Sequence, residues 1–279
     1  MALTLSPHAL TTVARLKAHL DRSTIGEDDV SDRCIAAINA ATSWMEMRTA
    51  RALKARNWRT AVRTQVTTTN NSTSLELADA SVVYEGDDIV LVTSEDACIP
   101  AGSTITSVNT LLSTAVCSNA STADEAQAAV YVGSTPLVCD GTGDSVLYAP
   151  EWPIHTLWAA YEVDSAGNRT LLNTTSARID AMSGRIELPY GIFVEGEQNI
   201  ELECRAGYVE PTAYERGHSE HWWALERLCL RLAEIFYSDS LSLRGRTTDL
   251  TMGGVSARVN DFAMPDDVRA DIWPYVRTR

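Results

Sequence analysis

The chain has 279 residues, 45% hydrophobic and 22% charged, with 15 Gly and 9 Pro, which is a globular composition and excludes a collagen-like or wholly disordered protein. Lys and Arg number 23 against 37 Asp and Glu, for a net charge of −14. Such a surface repels phosphates, and the sequence holds no strongly basic patch to support groove-reading of DNA or adhesion to anionic lipid. The six cysteines, Cys34, Cys98, Cys117, Cys139, Cys204 and Cys229, form no C-x-x-C and no zinc-type Cys/His spacing, so they read as small buried side chains. Residues 1–16 lack a basic stretch followed by an apolar one, and a reducing compartment is expected. The longest uncharged run, Ala97 to Ala123, is dense in Ser, Thr and Asn and contains Pro100, so it is not a membrane span.

In chain order, Leu10, Val13, Leu16 and Leu20 recur at helical spacing, with Ser6-Pro7 or else Thr11 or Thr12 as the start signal. After a polar turn around Gly26, Val30, Cys34, Ala37, Ile38, Ala41 and Met45 trace one face of a longer helix. The basic residues that follow, Arg48, Arg51, Lys54, Arg56 and Arg59, read better as helix-end and solvated cations than as a phosphate-facing strip. From about Val66 the texture becomes Ser/Thr/Val alternation punctuated by Gly86-Asp87-Asp88 and Pro100-Ala101-Gly102. This predicts a compact β module with strands at Ser74 to Leu77, Ile89 to Val92, Ser103 to Val108 and Ala128 to Val132. An antiparallel sheet is expected from Val146-Leu147-Tyr148, Leu157 to Val163, Ala177 to Asp180, Arg185 to Leu188 and Ile200 to Cys204. Helical spacing returns over Tyr214 to Tyr237 through Trp222, Leu225, Cys229, Leu232 and Phe236. A last short helix begins near Pro265-Asp266-Asp267-Val268 and stops at Pro274.

Catalytic and metal signatures are weak. Gly217-His218-Ser219-Glu220-His221 puts two His at i and i+3 but is not H-E-x-x-H, and polar helix-start residues are the better reading. No G-x-S-x-G elbow, phosphate-binding loop or G-x-G-x-x-G is present. Asp79, Glu85, Asp87, Asp88, Glu95 and Asp96 lack the order of a calcium loop and read as a solvated acidic rim. Trp222 and Trp223 point about 100° apart on a helix, so if one fills the core the other is a candidate for an intersubunit contact. In the tail, Met252, Val255, Val259 and Phe262 are apolar without partners in their own segment. Trp273 and Tyr275 lie beside the basic Arg277, which makes residues 241–279 a candidate docking arm.

The helices "LTTVARLKAHL" and "DDVSDRCIAAINAATSWMEMRTAR", an aromatic-Pro dipeptide before a strand in "APEWPIHTLWAAYEVDSAG", a Ser-Gly turn in "ARIDAMSGRIELP", "NIELECRAGY", the helix "YERGHSEHWWALERLCLRLAEIFY" and the closing "MPDDVRADIWPYVR" follow one another in an order that resembles the tailed-phage head-tail connector, or adaptor, proteins. The resemblance spans both ends of the chain and excludes roughly residues 66–136; a further departure is Ala50, where such proteins often carry Gly in a turn. It implies an α+β fold, a helical bundle with an embedded antiparallel sheet plus the inserted small all-β module. The expected domains are residues 1–65 with 137–240 as adaptor core, 66–136 as the module, and 241–279 as the arm. It further implies a non-enzymatic virion protein without cofactor or metal, present in the host cytoplasm during assembly and then at the head-tail junction. There it would form a ring with copies of itself, usually twelve-fold, between the portal protein and a tail or stopper protein. DNA would be only passing cargo, and no membrane is involved. The alternative is a binding protein whose β module recognises a glycan or partner surface.

Overall fold

The computed structural model describes residues 5–6, 8–20, 28–93, 98–100, 103–211, 219–242 and 266–276. The chain divides into two compact units, one built from both ends (residues 1–54 and 209–279) and one from the middle (residues 55–208). The division assigns charge unevenly: residues 55–208 hold 20 of the 37 acidic side chains but only 7 of the 23 Lys and Arg, a net −13, which leaves −1 for the chain ends.

The unit of the chain ends is helical: α1 (Val13–His19), α2 (Asp28–Thr49), α3 (Ser219–Ser242) and α4 (Asp266–Ile272), the last continued by a 3-10 turn over Trp273–Tyr275. Of the three candidate start signals, Thr12 is the cap of α1; its hydroxyl accepts the Arg15 N–H at 3.3 Å, satisfying an orphan first-turn donor. Of the expected apolar stripe of α2, Cys34, Ala37, Ile38, Ala41 and Met45 are buried, while the side chain of Val30 lies outside the described residues. On α3, Trp222, Leu225, Cys229 and Leu232 are buried, and Tyr237 rather than Phe236 completes the core-facing stripe. Helix α2 ends in a Schellman turn: the Arg51 N–H donates to the Glu46 carbonyl at 3.2 Å, and Ala50, one residue past the helix, sits at φ 55°.

The middle unit is all β. A six-stranded antiparallel sheet has the order β4-β7-β2-β3-β6-β5, with β2 Val62–Thr68, β3 Ser74–Leu77, β4 Ile89–Thr93, β5 Ile105–Asn109, β6 Thr114–Cys117 and β7 Glu125–Val132. Its two outer strands meet at their starts, where the Ile89 N–H donates to the Ser103 carbonyl (2.9 Å) and the Ile105 N–H to the Asp87 carbonyl (2.8 Å), so the sheet curls toward a barrel. That closure covers the starts of two edge strands that carry no charged residue of their own to guard them. Val66, Leu75, Ile105, Ala115, Val130 and their neighbours fill its core.

A second sheet places β1 (Arg56–Trp58), β14 (Gly196–Ala206), β10 (Ile154–Val163) and β11 (Arg169–Leu171) side by side, with β8 (Leu137–Gly141) also on β14. A third joins β12 (Arg178–Asp180), β13 (Arg185–Glu187) and β9 (Val146–Tyr148). These two share a core that includes Leu137, Leu147, Ile154, Ile186, Phe193, Ile200 and Leu202. The Trp152–Pro153 bond is cis. Where the chain passes into β1 and out of β14, the Ala55 N–H donates to the Tyr208 carbonyl at 2.9 Å.

This architecture corrects the expected fold class. The described residues hold fourteen strands in three antiparallel sheets against four α-helices, not a helical bundle with an embedded sheet. The physical reason is where the alternating strands put their apolar faces. Both β cores are lined by strand and loop residues alone, so the sheets bury against one another and need no helical jacket.

Two of the sheets are tied by a charge that the sequence presents as solvated. Asp87 is fully buried: Arg59 Nε donates to its Oδ1 at 3.0 Å, Arg59 Nη2 to its Oδ2, Asn57 Nδ2 to Oδ1 at 3.0 Å and the Tyr84 N–H to Oδ2 at 2.8 Å. The Arg59 guanidinium also lies 4.6 Å from the Tyr84 ring centroid. Arg51 is buried as well, so the basic run that reads as solvated is partly spent inside the protein. Asp79 and Glu85 are exposed as expected, whereas Glu95 and Asp96 lie outside the described residues.

Candidate interaction surface

Helix α3 turns one side to the core and leaves Trp223, Ala224 and Arg227 outside. The adjacent tryptophans divide as their 100° separation requires, Trp222 fully buried and Trp223 47% exposed. Helix α4 lies against α3, burying Val268, Ile272 and Tyr275, and between them opens a groove of about 490 Å³ lined by Trp223, Ala224, Arg227, Leu228, Arg231 and Asp271. Arg231 Nη1 donates to Asp271 Oδ2 at 3.2 Å, which links the two walls.

The Trp223 side is braced from α1. Glu226, buried on α3, accepts from the Thr11 hydroxyl at 3.0 Å and from Arg15 Nη1, and Arg15 also faces Glu210 at 3.4 Å. The hydrogen bond to Glu226 holds the Arg15 guanidinium above its ordinary pKa. Its carbon lies 5.3 Å from the Trp223 ring centroid, a cation–π contact that fixes the exposed indole. The groove therefore sets a braced aromatic face beside Arg227 and the Arg231–Asp271 pair, an arrangement suited to an apolar or aromatic anchor accompanied by a carboxylate. It contains no nucleophile–base pair, and no cluster of three or more metal-ligating side chains occurs among the described residues. His221 is exposed near the start of α3; His218 lies outside the described residues.

Of the residues singled out by sequence, Trp223 lines this groove and Trp273, 71% exposed, projects from the turn that ends α4. Tyr275 is buried against the helical unit. Met252, Val255, Val259, Phe262 and Arg277 lie outside the described residues. Sequence reading did not find Arg227, Arg231 or Asp271, although Arg227 and Arg231 follow Trp223 at successive i+4 steps and so share its stripe.

Two uncharged turns on the β unit are also exposed. At the β5–β6 tip, Asn109 Oδ1 accepts the N–H groups of Leu111 and Leu112, each at 3.1 Å, and Leu111 is 95% exposed. After β13, Phe193 plugs the core while Tyr190, 91% exposed, and Ile192 face solvent, followed by exposed Glu195 and Glu197.

No protein-family profile matches the chain, and no curated protein does. Two solved structures are similar over 100% of this chain and 95% of theirs. One is from the neck of an empty GTA particle computed with C6 symmetry, at 16% identity and a TM-score of 0.44; the other is from the virion of a native gene transfer agent (GTA) particle, at 15% and 0.43. Similarity at this level does not establish a common fold, and the functional reading rests on this chain's own elements.

Proposed function

We propose that the chain is a structural protein of a phage-like particle, a head-tail adaptor that forms a ring under the portal, joins it to the next tail or stopper component and lets DNA pass through its channel. The observation that carries this reading is the ordered series of cues shared with the adaptor proteins, each of which falls at a definite place in the fold. Trp152-Pro153 directly precedes β10, Ser183-Gly184 turns the chain into β13, Ala206-Gly207-Tyr208 ends β14, and Asp266-Asp267 open α4. The surface supports the same reading: an aromatic, arginine-flanked groove and exposed apolar turns suit protein–protein contacts, and a unit at −13 suits a wall that DNA must slide past without sticking. Electron microscopy of particles carrying a tagged chain tests it. Density for the tag at the head-tail junction, arranged as a ring, is the expected result, and density on the capsid lattice or at the tail tip is the result that rejects it.

A further inference from the structure

The groove on α3 and the turn after β13 are complementary. The groove offers the braced Trp223 ring and the guanidinium of Arg227, which makes no ion pair among the described residues, with Arg231 beside it. The turn offers Tyr190 and Ile192 on a run held down by Phe193, whose N–H donates to the Asp144 carbonyl at 2.8 Å and whose carbonyl accepts the Gly143 N–H at 2.7 Å; Glu195 and Glu197 come directly after. An aromatic anchor followed by two exposed carboxylates is the chemistry that a Trp- and Arg-lined groove accepts.

We propose that the 189–197 turn of one copy seats in the Trp223 groove of the next copy, with Tyr190 against the Trp223 ring and Glu195 or Glu197 paired with Arg227. This deepens, and rests on, the reading of the chain as a self-assembling ring protein. The contact joins two different surfaces, so it is head-to-tail and propagates around a ring instead of closing as a two-fold dimer. The turn is anchored at Phe193 and the indole is braced by Arg15, so neither side must be ordered much on docking.

A mixing experiment on the full chain tests it. A groove variant, Trp223→Ala with Arg227→Glu, and a turn variant, Tyr190→Ala with Glu195→Lys, each retain one working surface. Each alone should associate at least tenfold more weakly than the wild type in sedimentation, with an unchanged circular dichroism spectrum. Mixed in equal amounts they should form one-to-one pairs in native mass spectrometry and stop at two, because the pair leaves only the disabled groove and the disabled turn. A second readout keeps all the proposed anchors: Gly191→Cys, beside Tyr190, in one preparation and Ala224→Cys, beside Trp223, in another should cross-link to each other under a mild oxidant, since all six native cysteines are buried. A mixture that stays monomeric and uncross-linked overturns the inference. If both variants still assemble as the wild type does, the ring reading stands and this contact is wrong. If the groove variant assembles normally but loses capture of another particle protein, the occupant is that protein and the inference again fails. A wild type that is monomeric at all concentrations overturns it together with the ring reading on which it rests.

Discussion

At the residue scale, Ala50 is a site of local backbone strain. The Schellman turn after α2 needs a left-handed residue, and Ala at φ 55° costs about 1–2 kcal/mol that glycine does not incur, partly offset by glycine's greater freedom when unfolded. Ala50→Gly is therefore expected to stabilise the protein by roughly 0.5–1 kcal/mol, seen as a higher urea midpoint; a lower midpoint would mean that the turn is not strained. Asp87 behaves oppositely. Removing it by Asp87→Ala leaves the Arg59 guanidinium buried without its carboxylate, and a loss of about 3–5 kcal/mol in urea unfolding is expected. The double variant Arg59→Met/Asp87→Leu should recover only part of this, since the Tyr84 N–H still loses its acceptor. Burial pushes the Cys229 thiol up to about 12 from an ordinary 9.0, and burial raises Cys204 too. The unfolded thiol ionises above pH 9 while the folded one does not, so stability falls as pH rises from about 9 toward 12, by about 1.4 kcal/mol per unit for each such group. Lys54, lowered by burial, contributes the opposite slope until its unfolded value of 10.5 is passed. Urea midpoints of the reduced protein between pH 8.5 and 10.5 should therefore decline less steeply for Cys229→Ala than for the wild type; equal slopes would remove Cys229 from the account.

At the scale of elements, α4 and its 3-10 turn show what the tail contributes. Val268, Ile272 and Tyr275 are buried, each aliphatic side chain worth about 1.5–3 kcal/mol on full burial, so truncation after Ser242 is expected to lower the melting temperature and to raise binding of a hydrophobic dye. Unchanged dye binding would show that the tail covers nothing. Elements with a strong period of their own were legible in the sequence: Ser74–Leu77 and Val146–Tyr148 match β3 and β9, and the stripes on α2 and α3 were read almost residue for residue. Strands β1, β2, β6, β8 and β11 were missed. In "VRTQVTT" the residues that alternate inward include Thr64 and Thr68, buried polar side chains that blur the apolar–polar contrast on which the reading depends. The fold class was misjudged for a related reason, since alternation says that one face is buried but not whether a helix or another sheet covers it. The groove was half legible: the Trp223–Arg227–Arg231 stripe follows from spacing, whereas the wall carrying Asp271 comes from a helix 40 residues further on, brought there only by packing.

At the scale of the whole molecule, the charge is concentrated rather than spread. With −13 on residues 55–208 and −1 on the remainder, neither unit has the surplus of cations that counterion release demands. The protein is expected not to retard duplex DNA in a gel at about 50 mM salt, a condition at which non-specific association is strong for DNA-binding proteins. Retardation that disappears as salt is raised would expose a basic track and refute the repelling-wall account of the channel.

The hydrogen bond between Ala55 and Tyr208 gives the middle of the chain a property that concerns its history more than its stability. A segment whose two ends are that close can be cut out of one gene and spliced into another without stretching or crowding the host, because its ends lie one hydrogen bond apart. Residues 55–208 thus form a compact unit whose two ends meet. Recombination that replaces the segment whole leaves the residues of the helical unit untouched.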